Sequence, residues 1–334
     1  MIEGHGDDTY RYGGKVKHNF SSNIFSRADH TALMAHLAGC GAMVSVYPEP
    51  QPFTLEAEIA RKDKVGASCV MVTNGATEAI YLIAMAFSHK KTQIVIPTFR
   101  EYQDACRMNR LDIQFTGSID NVSADVVWIC NPNNPTGTVT DPGKLMEVAR
   151  ENRATLFVVD QAYADYYPGA LITPHEAVEI GNILLLNSLT KKYSIPGLRI
   201  GYATGAPDVL EMLRCRRMPW SVNAIGIDAA LWLLINSERY HIDAKSLHSE
   251  ALRIRSAFES AGIRCSDTKC NFLLCELPKG TAAQLKEYLV ENHEILIRDA
   301  SNFEGLSARH FRVASQTPEE NDLLIKAVTQ WLTF

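Results

Sequence analysis

The sequence has no apolar run long enough to cross a bilayer. Its longest, Ala79–Phe87, is far short of the roughly 20 residues a spanning helix needs. The stretch Met1–Gly14 is polar and lacks the hydrophobic core of a secretory leader, so no signal peptide is expected. A basic excess is also missing. With 33 Lys+Arg against 38 Asp+Glu the formal net charge is −5, which leaves no electrostatic footprint for nucleic acid or an anionic membrane. One local cluster, Arg214-Cys-Arg-Arg217, is accounted for by a solvated helix face. The eight cysteines include no C-x-x-C pair, and no histidine adjoins them at metal-ligand spacing. A disulfide framework and a metal site are therefore both unexpected, and the thiols read as packing residues of a reducing cytoplasm. Internal repeats and low-complexity tracts are absent.

What is there describes a globular enzyme-sized chain. Hydrophobic residues make up 46% and charged residues 21%, as in soluble domains. At 334 residues a single core is unusual, so two domains around one site are expected. Residues 1–40 read as an N-terminal arm and short helix packing with the smaller domain, residues 41–236 as the larger domain, and residues 237–334 as a small α+β domain. The arm up to Asn23 has no periodicity, and by composition alone it resembles a disordered tail. From Cys69 to Leu186 short apolar runs alternate with amphipathic segments. Strands are expected at Cys69–Val72, Gln93–Ile96, Ile113–Thr116, Val126–Cys130, Leu156–Val159, Ile183–Leu186 and Leu198–Tyr202. Helices are expected at Ala76–Ser88, Arg100–Arg110 and Pro142–Asn152. Such alternation argues for a mostly parallel sheet covered on both faces, with ligands at the carboxyl ends of its strands. Beyond Tyr202, helices are expected at Asp208–Met218, Val222–Ile235, Arg239–Ala261, Thr281–Asn292 and Pro318–Thr333. Strands are expected there at Cys270–Glu276, Ile295–Ile297 and His310–Val313.

The polar motifs fall at those strand ends. Asn187-Ser-Leu-Thr-Lys-Lys-Tyr-Ser-Ile-Pro-Gly-Leu-Arg199 sets the amine of Lys191 beside the hydroxyls of Ser188 and Thr190 and the guanidinium of Arg199. That combination suits a Schiff base with an aldehyde cofactor whose phosphate is gripped nearby. Thr73-Asn-Gly-Ala-Thr-Glu78 opens a helix, where Gly75 permits a tight turn and the free amides of Ala76 and Thr77 can bind an anion. Asp160 ends an apolar strand in Asp160-Gln-Ala-Tyr163. A carboxylate placed there needs a positive partner, and a protonated pyridine nitrogen is one. Cys130-Asn-Pro-Asn-Asn-Pro-Thr-Gly137 and Pro97-Thr-Phe99 close two further strands.

These motifs resemble the fold-type I pyridoxal phosphate (PLP) enzymes of the class I/II aminotransferase superfamily. The resemblance implies an α/β large domain with a seven-stranded, mostly parallel sheet between helices, followed by a smaller α+β domain. It also implies that Lys191 carries the cofactor, that Asp160 faces the ring nitrogen, and that Asn134 and Tyr163 reach the ring hydroxyl. Phe99 would cover the ring, while Gly75, Ala76, Thr77, Ser188, Thr190 and Arg199 would surround the phosphate. Tyr47, in the loop Tyr47-Pro-Glu-Pro-Gln-Pro52, matches a tyrosine that reaches the neighbouring subunit's cofactor, so a homodimer with a shared site is implied.

More specific strings are His5-Gly6, Phe20-Ser-Ser-Asn-Ile24, Met218-Pro-Trp-Ser-Val-Asn223, Ile295-Leu-Ile-Arg298 and Phe311-Arg-Val313. They look most like the L-threonine-O-3-phosphate decarboxylases of cobalamin biosynthesis, with histidinol-phosphate aminotransferases as near relatives. The substrate is then a small phosphorylated amino acid or amine, held by His5, Asn23, Asn134, Arg298 and Arg312. Decarboxylation is the expected reaction. Transamination with 2-oxoglutarate is the alternative, and a non-catalytic binding protein on the same fold is a third. Two departures bear on the substrate. His5-Gly-Asp-Asp8 stands where these decarboxylases read His-Gly-Gly-Asn, so two carboxylates would repel a phosphate facing them. Asn187 stands where an arginine is common.

Overall fold

A computed structural model describes residues 6–333. In chain order the strands are β1 (His18–Asn19), β2 (Val70–Asn74), β3 (Lys91–Val95), β4 (Asp112–Thr116), β5 (Val126–Cys130), β6 (Leu156–Asp160) and β7 (Ile183–Ser188). They continue with β8 (Ile200–Thr204), β9 (Arg264–Cys265), β10 (Phe272–Glu276), β11 (Ile295–Leu296), β12 (Arg298–Asp299) and β13 (His310–Ala314). Seven of them form one sheet in the order β2-β8-β7-β6-β5-β3-β4. The contacts β3–β4, β3–β5, β5–β6 and β6–β7 are parallel. Only β8 runs against both its neighbours. Consequently β2, β3, β5, β6 and β7 all end on one edge, and β8 begins there.

Helices cover both faces of this sheet, which is why β5 and β6 are buried along their whole length and carry continuous apolar runs in place of alternation. Met71, Trp128 and Leu184 face one layer; Ile129, Phe157 and Leu185 face another. A second sheet, β12-β13-β10-β9, is antiparallel and packs through Leu273, Phe311 and Val313 against the helices Ala244–Ser260, Ala282–His293 and Pro318–Trp331. No described helix is long and apolar enough to cross a membrane.

The arm departs from its disordered appearance. β1 pairs in parallel with β11, Phe20 is fully buried within the second core, and Gln316 Oε1 accepts from the Ser26 amide at 2.8 Å. The expected strand Ile295–Ile297 is the short β11, and β12 follows it at Arg298 in a different sheet. The long helix begins at Ala244 rather than at Arg239, because Asp243 caps it by accepting from the Ser246 amide at 2.9 Å. A helix the sequence reading omits, Pro174–Ile180, is started by a capping box between Thr173 and Glu176. The last expected strand of the large sheet starts two residues late, since Pro196–Leu198 forms a 3-10 turn and Arg199 is left-handed at φ 55°.

Candidate active site

The edge where those strands end borders a cavity of about 380 Å³. Its wall takes Ala76 and Thr77 from the helix that follows β2, Phe99 from beyond β3, and Asn134 from beyond β5. Asp160 and Tyr163 come from the end of β6, Ser188 and Thr190 from the end of β7, then Lys191 and Arg199. Arg298 and Arg312 reach in from the antiparallel sheet. Residues as far apart in the chain as Ala76 and Lys191 therefore meet because the crossovers return every parallel strand in the same direction.

Asp160 is buried at the end of β6. Its Oδ2 accepts the Tyr102 hydroxyl at 2.6 Å and its Oδ1 accepts the Ala162 amide at 2.9 Å. Burial pushes its carboxyl pKa up, while those two donors and Lys191 act in the opposite sense. Tyr102 is itself fully buried, with its ring stacked on Trp128 at 5.3 Å and Phe99 edge-on at 5.7 Å.

Lys191 Nζ donates to the Ser22 carbonyl at 2.9 Å and lies 5.8 Å from the centre of the Tyr163 ring. Burial, followed by the charges of Arg312 and Arg199, lowers its pKa to about 8. An amine so placed is partly neutral near neutral pH and can act as nucleophile and base. Its backbone is tied as well: the Tyr166 hydroxyl donates to the Lys191 carbonyl at 3.1 Å.

Gly75 opens the helix Gly75–Ala86 with φ +70°, and a Cβ there would stand 2.6 Å from Arg199 Nη2. Gly201 is equally constrained, since its Cβ would meet the Ala76 amide nitrogen at 2.3 Å. Two glycines thus let a helix N-terminus and a guanidinium converge, which is an anion cradle. Burial depresses the Arg199 pKa.

On the opposite side, Arg312 donates to Asn134 Oδ1 and to the Ser21 carbonyl, and its Nε is buried without a partner. Arg298 donates to Asn302 Oδ1 at 2.7 Å. Burial lowers the Arg298 pKa to about 9, with Arg312 adding to the effect, and it lowers that of Arg312 to about 10.

Two sequence-predicted residues, Tyr47 and Asn23, stand apart from the cavity wall, and Gly75 adjoins it through its neighbour Ala76. Tyr47 is 84% exposed and its ring centre lies 5.5 Å from that of Trp220, tilted by 45°; it lines a different recess with Pro48 and Ile227. Asn23 is fully buried behind the wall, left-handed at φ 58°, with neither amide atom hydrogen-bonded. His5 lies outside the described residues. Tyr102 as the partner of Asp160 was not foreseen from the sequence, and of the arm strings expected at the site it is Gly6, Asp7, Ser21 and Ser22, in place of Asn23, that line the wall. The carboxylates of the arm part company. Asp8 turns away to Lys286 at 2.6 Å, whereas Asp7 stays in the wall, held by Asn19 Nδ2 at 2.5 Å.

Residues 15–328 match the model of the aminotransferase class I and II family. The chain belongs to that family. It is similar to threonine-phosphate decarboxylase of Salmonella typhimurium, at 29% identity over 94% of this chain and 91% of that protein. It is similar to histidinol-phosphate aminotransferase of Caldanaerobacter subterraneus, at 27% identity over 87% and 85% respectively. The crystal structure of L-threonine-O-3-phosphate decarboxylase from Porphyromonas gingivalis superposes with a TM-score of 0.91 at 34% identity, covering 94% of this chain and 99% of that one. The fold is that of the fold-type I PLP transferases, and PLP is the cofactor of this aminotransferase-family enzyme. The residues present fit it: a buried amine, a buried carboxylate and an anion cradle that a single added methyl group would fill line one cavity.

Proposed function

We propose that this enzyme removes the carboxylate of L-threonine O-3-phosphate. The observation that carries this reading is the pair of buried guanidinium groups, Arg298 and Arg312, in the same cavity as Lys191. A substrate with one carboxylate and one phosphate offers each of them an anion. The desolvation that depresses both pKa values is relieved when those anions arrive. Arg312 keeps an unpartnered buried Nε for that purpose. The similarity to threonine-phosphate decarboxylases over nearly the whole chain supports the same substrate.

When bound, PLP supplies an aldehyde for an amine and a conjugated ring that draws electrons from a bond at the substrate's α-carbon. On this reading Lys191 provides the amine, and Asp160 provides negative charge for the ring nitrogen. The Ala76 and Thr77 amides, Ser188, Thr190 and Arg199 hold the phosphate at the position Gly75 keeps open. Phe99 covers the ring, and Asn134 and Tyr163 address its hydroxyl. Arg298 and Arg312, with His5, fix how the substrate's carboxylate is turned. That orientation selects loss of CO₂ over removal of the α-proton by Lys191 Nζ.

The working form is a homodimer with a shared site. Tyr47, together with exposed Val44, Val46, Phe53 and Trp220, forms an apolar face suited to a second copy, and Tyr47 of the partner subunit would complete the phosphate site.

Histidinol-phosphate transamination is the second reading, and Asp7 favours it. A carboxylate in the cavity wall can accept an imidazole N–H, a donor that O-phospho-L-threonine lacks. Purified enzyme incubated with O-phospho-L-threonine, and separately with histidinol phosphate and 2-oxoglutarate, distinguishes the two. The proposal requires CO₂ from the first incubation; glutamate from the second, without CO₂ from the first, would overturn it.

A further inference from the structure

Away from the cavity, three side chains of different chemistry converge on one point. His36 lies in the last turn of the helix Thr31–Ala38, and Cys40 follows that helix just beyond Gly39. Asp228 faces them from the helix Ala224–Ile235. His36 Nε2 is 2.5 Å from Asp228 Oδ2, Cys40 Sγ is 3.2 Å from the same oxygen, and Sγ is 4.0 Å from Nε2. One ligand atom from each residue lies within 4.8 Å of the other two. No metal is expected from the sequence, which has no C-x-x-C pair and no histidine read beside a cysteine at metal-ligand spacing. A histidine four residues before a single cysteine, with the third group 188 residues away, gives no such signal.

We propose that His36, Cys40 and Asp228 form a binding site for a divalent cation of the zinc type, with water as the fourth ligand. Thiolate, imidazole and carboxylate are the three donor types zinc accepts, at bond lengths of about 2.3 Å to sulfur and about 2.0–2.2 Å to nitrogen and oxygen. A tetrahedron with those bonds has ligand-to-ligand edges of roughly 3.4–3.6 Å. The histidine–aspartate pair must open by about 1 Å and the cysteine–histidine pair must close by about 0.4 Å, which side-chain torsions supply.

Two features prepare the site. The His36 ring is fixed by stacking on Trp232 at 5.3 Å and 22°, as a ligand's second contact fixes its orientation. The residues are sheltered but not sealed. Cys40 is 8% exposed, while the side chains of His36 and Asp228 are 28% and 23% exposed. Asp228 also lines the recess that contains Met43 and Tyr47, which is a route for an ion. Without metal, thiol and imidazole crowd a single oxygen, Oδ2. On binding, Cys40 releases its thiol proton to solvent and His36 gives up the Nε2 proton it shares with Asp228, the neutral ring then carrying its one proton on Nδ1 and leaving the Nε2 lone pair for the cation. The chain runs from Cys40 through the 3-10 turn Gly41–Ser45 to Tyr47, so the cation would tie down the segment that presents Tyr47.

The test uses full-length holoenzyme, treated with chelator, exposed to one equivalent of zinc and desalted. We expect about one zinc retained per chain, with X-ray absorption showing a sulfur bonded to it. Cys40→Ser should remove the sulfur signal and weaken retention at least tenfold, and His36→Ala and Asp228→Asn should weaken it similarly. Cys215→Ser, which alters the exposed thiol, should change neither. Melting temperatures of the metal-free variants identify any that fail to fold, and the isosteric Asp228→Asn then decides. No retained zinc in the wild type, or a sulfur signal that survives Cys40→Ser, would overturn the proposal.

Discussion

Tyr102 donates its hydroxyl proton to Asp160 across 2.6 Å, 58 residues away in sequence. Its ring is locked between Trp128 and Phe99, and Trp128 is in turn held by its indole N–H donating to Thr92 Oγ1 at 3.0 Å. This chain of contacts fixes a buried carboxylate and helps it stay ionised against the burial that favours its neutral form. Tyr102→Phe keeps the ring packing and removes one hydrogen bond to a charged group, worth about 1.5–3 kcal/mol. Cofactor affinity should therefore fall roughly 10- to 100-fold with little loss of melting temperature. Equilibrium titration of the cofactor-free variant measures this, and an unchanged affinity would remove Tyr102 from the site.

Lys191 makes stability and reactivity depend on pH with a defined sign. Its folded pKa is about 8, below the ordinary 10.5, so between those values the unfolded chain binds more protons than the folded one. The group's contribution to stability therefore rises with pH across that window and is at its lowest below it. Lys191→Met abolishes the dependence, and the cofactor-free variant should exceed wild type by roughly 3 kcal/mol below pH 8, with the gap closing as pH approaches 10.5. Urea unfolding at a series of pH values reads this. A constant gap would mean that Lys191 titrates normally.

Asp7 is one of the groups that hold the Lys191 pKa up, against Arg312 and Arg199. Asp7→Asn should move the pH midpoint of cofactor incorporation downward. On the decarboxylase reading it should also lower the KM for O-phospho-L-threonine, because a negative charge leaves the wall. Steady-state kinetics across pH would show both effects, and a rise in KM would favour Asp7 as a substrate ligand.

Gly75 is required by both its backbone and its neighbour. An alanine at φ +70°, with its Cβ at 2.6 Å from Arg199, costs about 1–2 kcal/mol in backbone conformation and displaces the guanidinium from the phosphate position. Cofactor binding should weaken at least tenfold in Gly75→Ala. Gly197→Ala, where the added methyl group meets open space, should bind normally. Equal affinities in the two variants would argue against the cradle.

The large sheet was legible because each of its central strands is buried on both faces and is followed by a motif of glycine, proline or charge. Val126–Cys130 agrees to the residue, and Asp160, Lys191 and Arg199 were marked by polar groups abruptly ending apolar runs. The arm was expected to pack with the smaller domain, but its contacts in the site were not legible. Its order comes from contacts such as Lys191 Nζ to the Ser22 carbonyl, 169 residues apart, and a polar local sequence carries no trace of them. The same holds for Tyr102, whose role depends on a partner two strands away in the sheet. The helix Pro174–Ile180 did carry a signal, Thr173-Pro-His-Glu176, but one short turn of apolar periodicity is too little to mark it.

The most direct measurement is to reduce the cofactor-loaded enzyme with borohydride, digest it, and find by mass spectrometry the lysine that carries a pyridoxyl group. The adduct should fall on Lys191 alone. An adduct on Lys192, whose amine instead pairs with Asp165 at 3.0 Å, or no adduct at all, would contradict the assignment of this cavity as the active site.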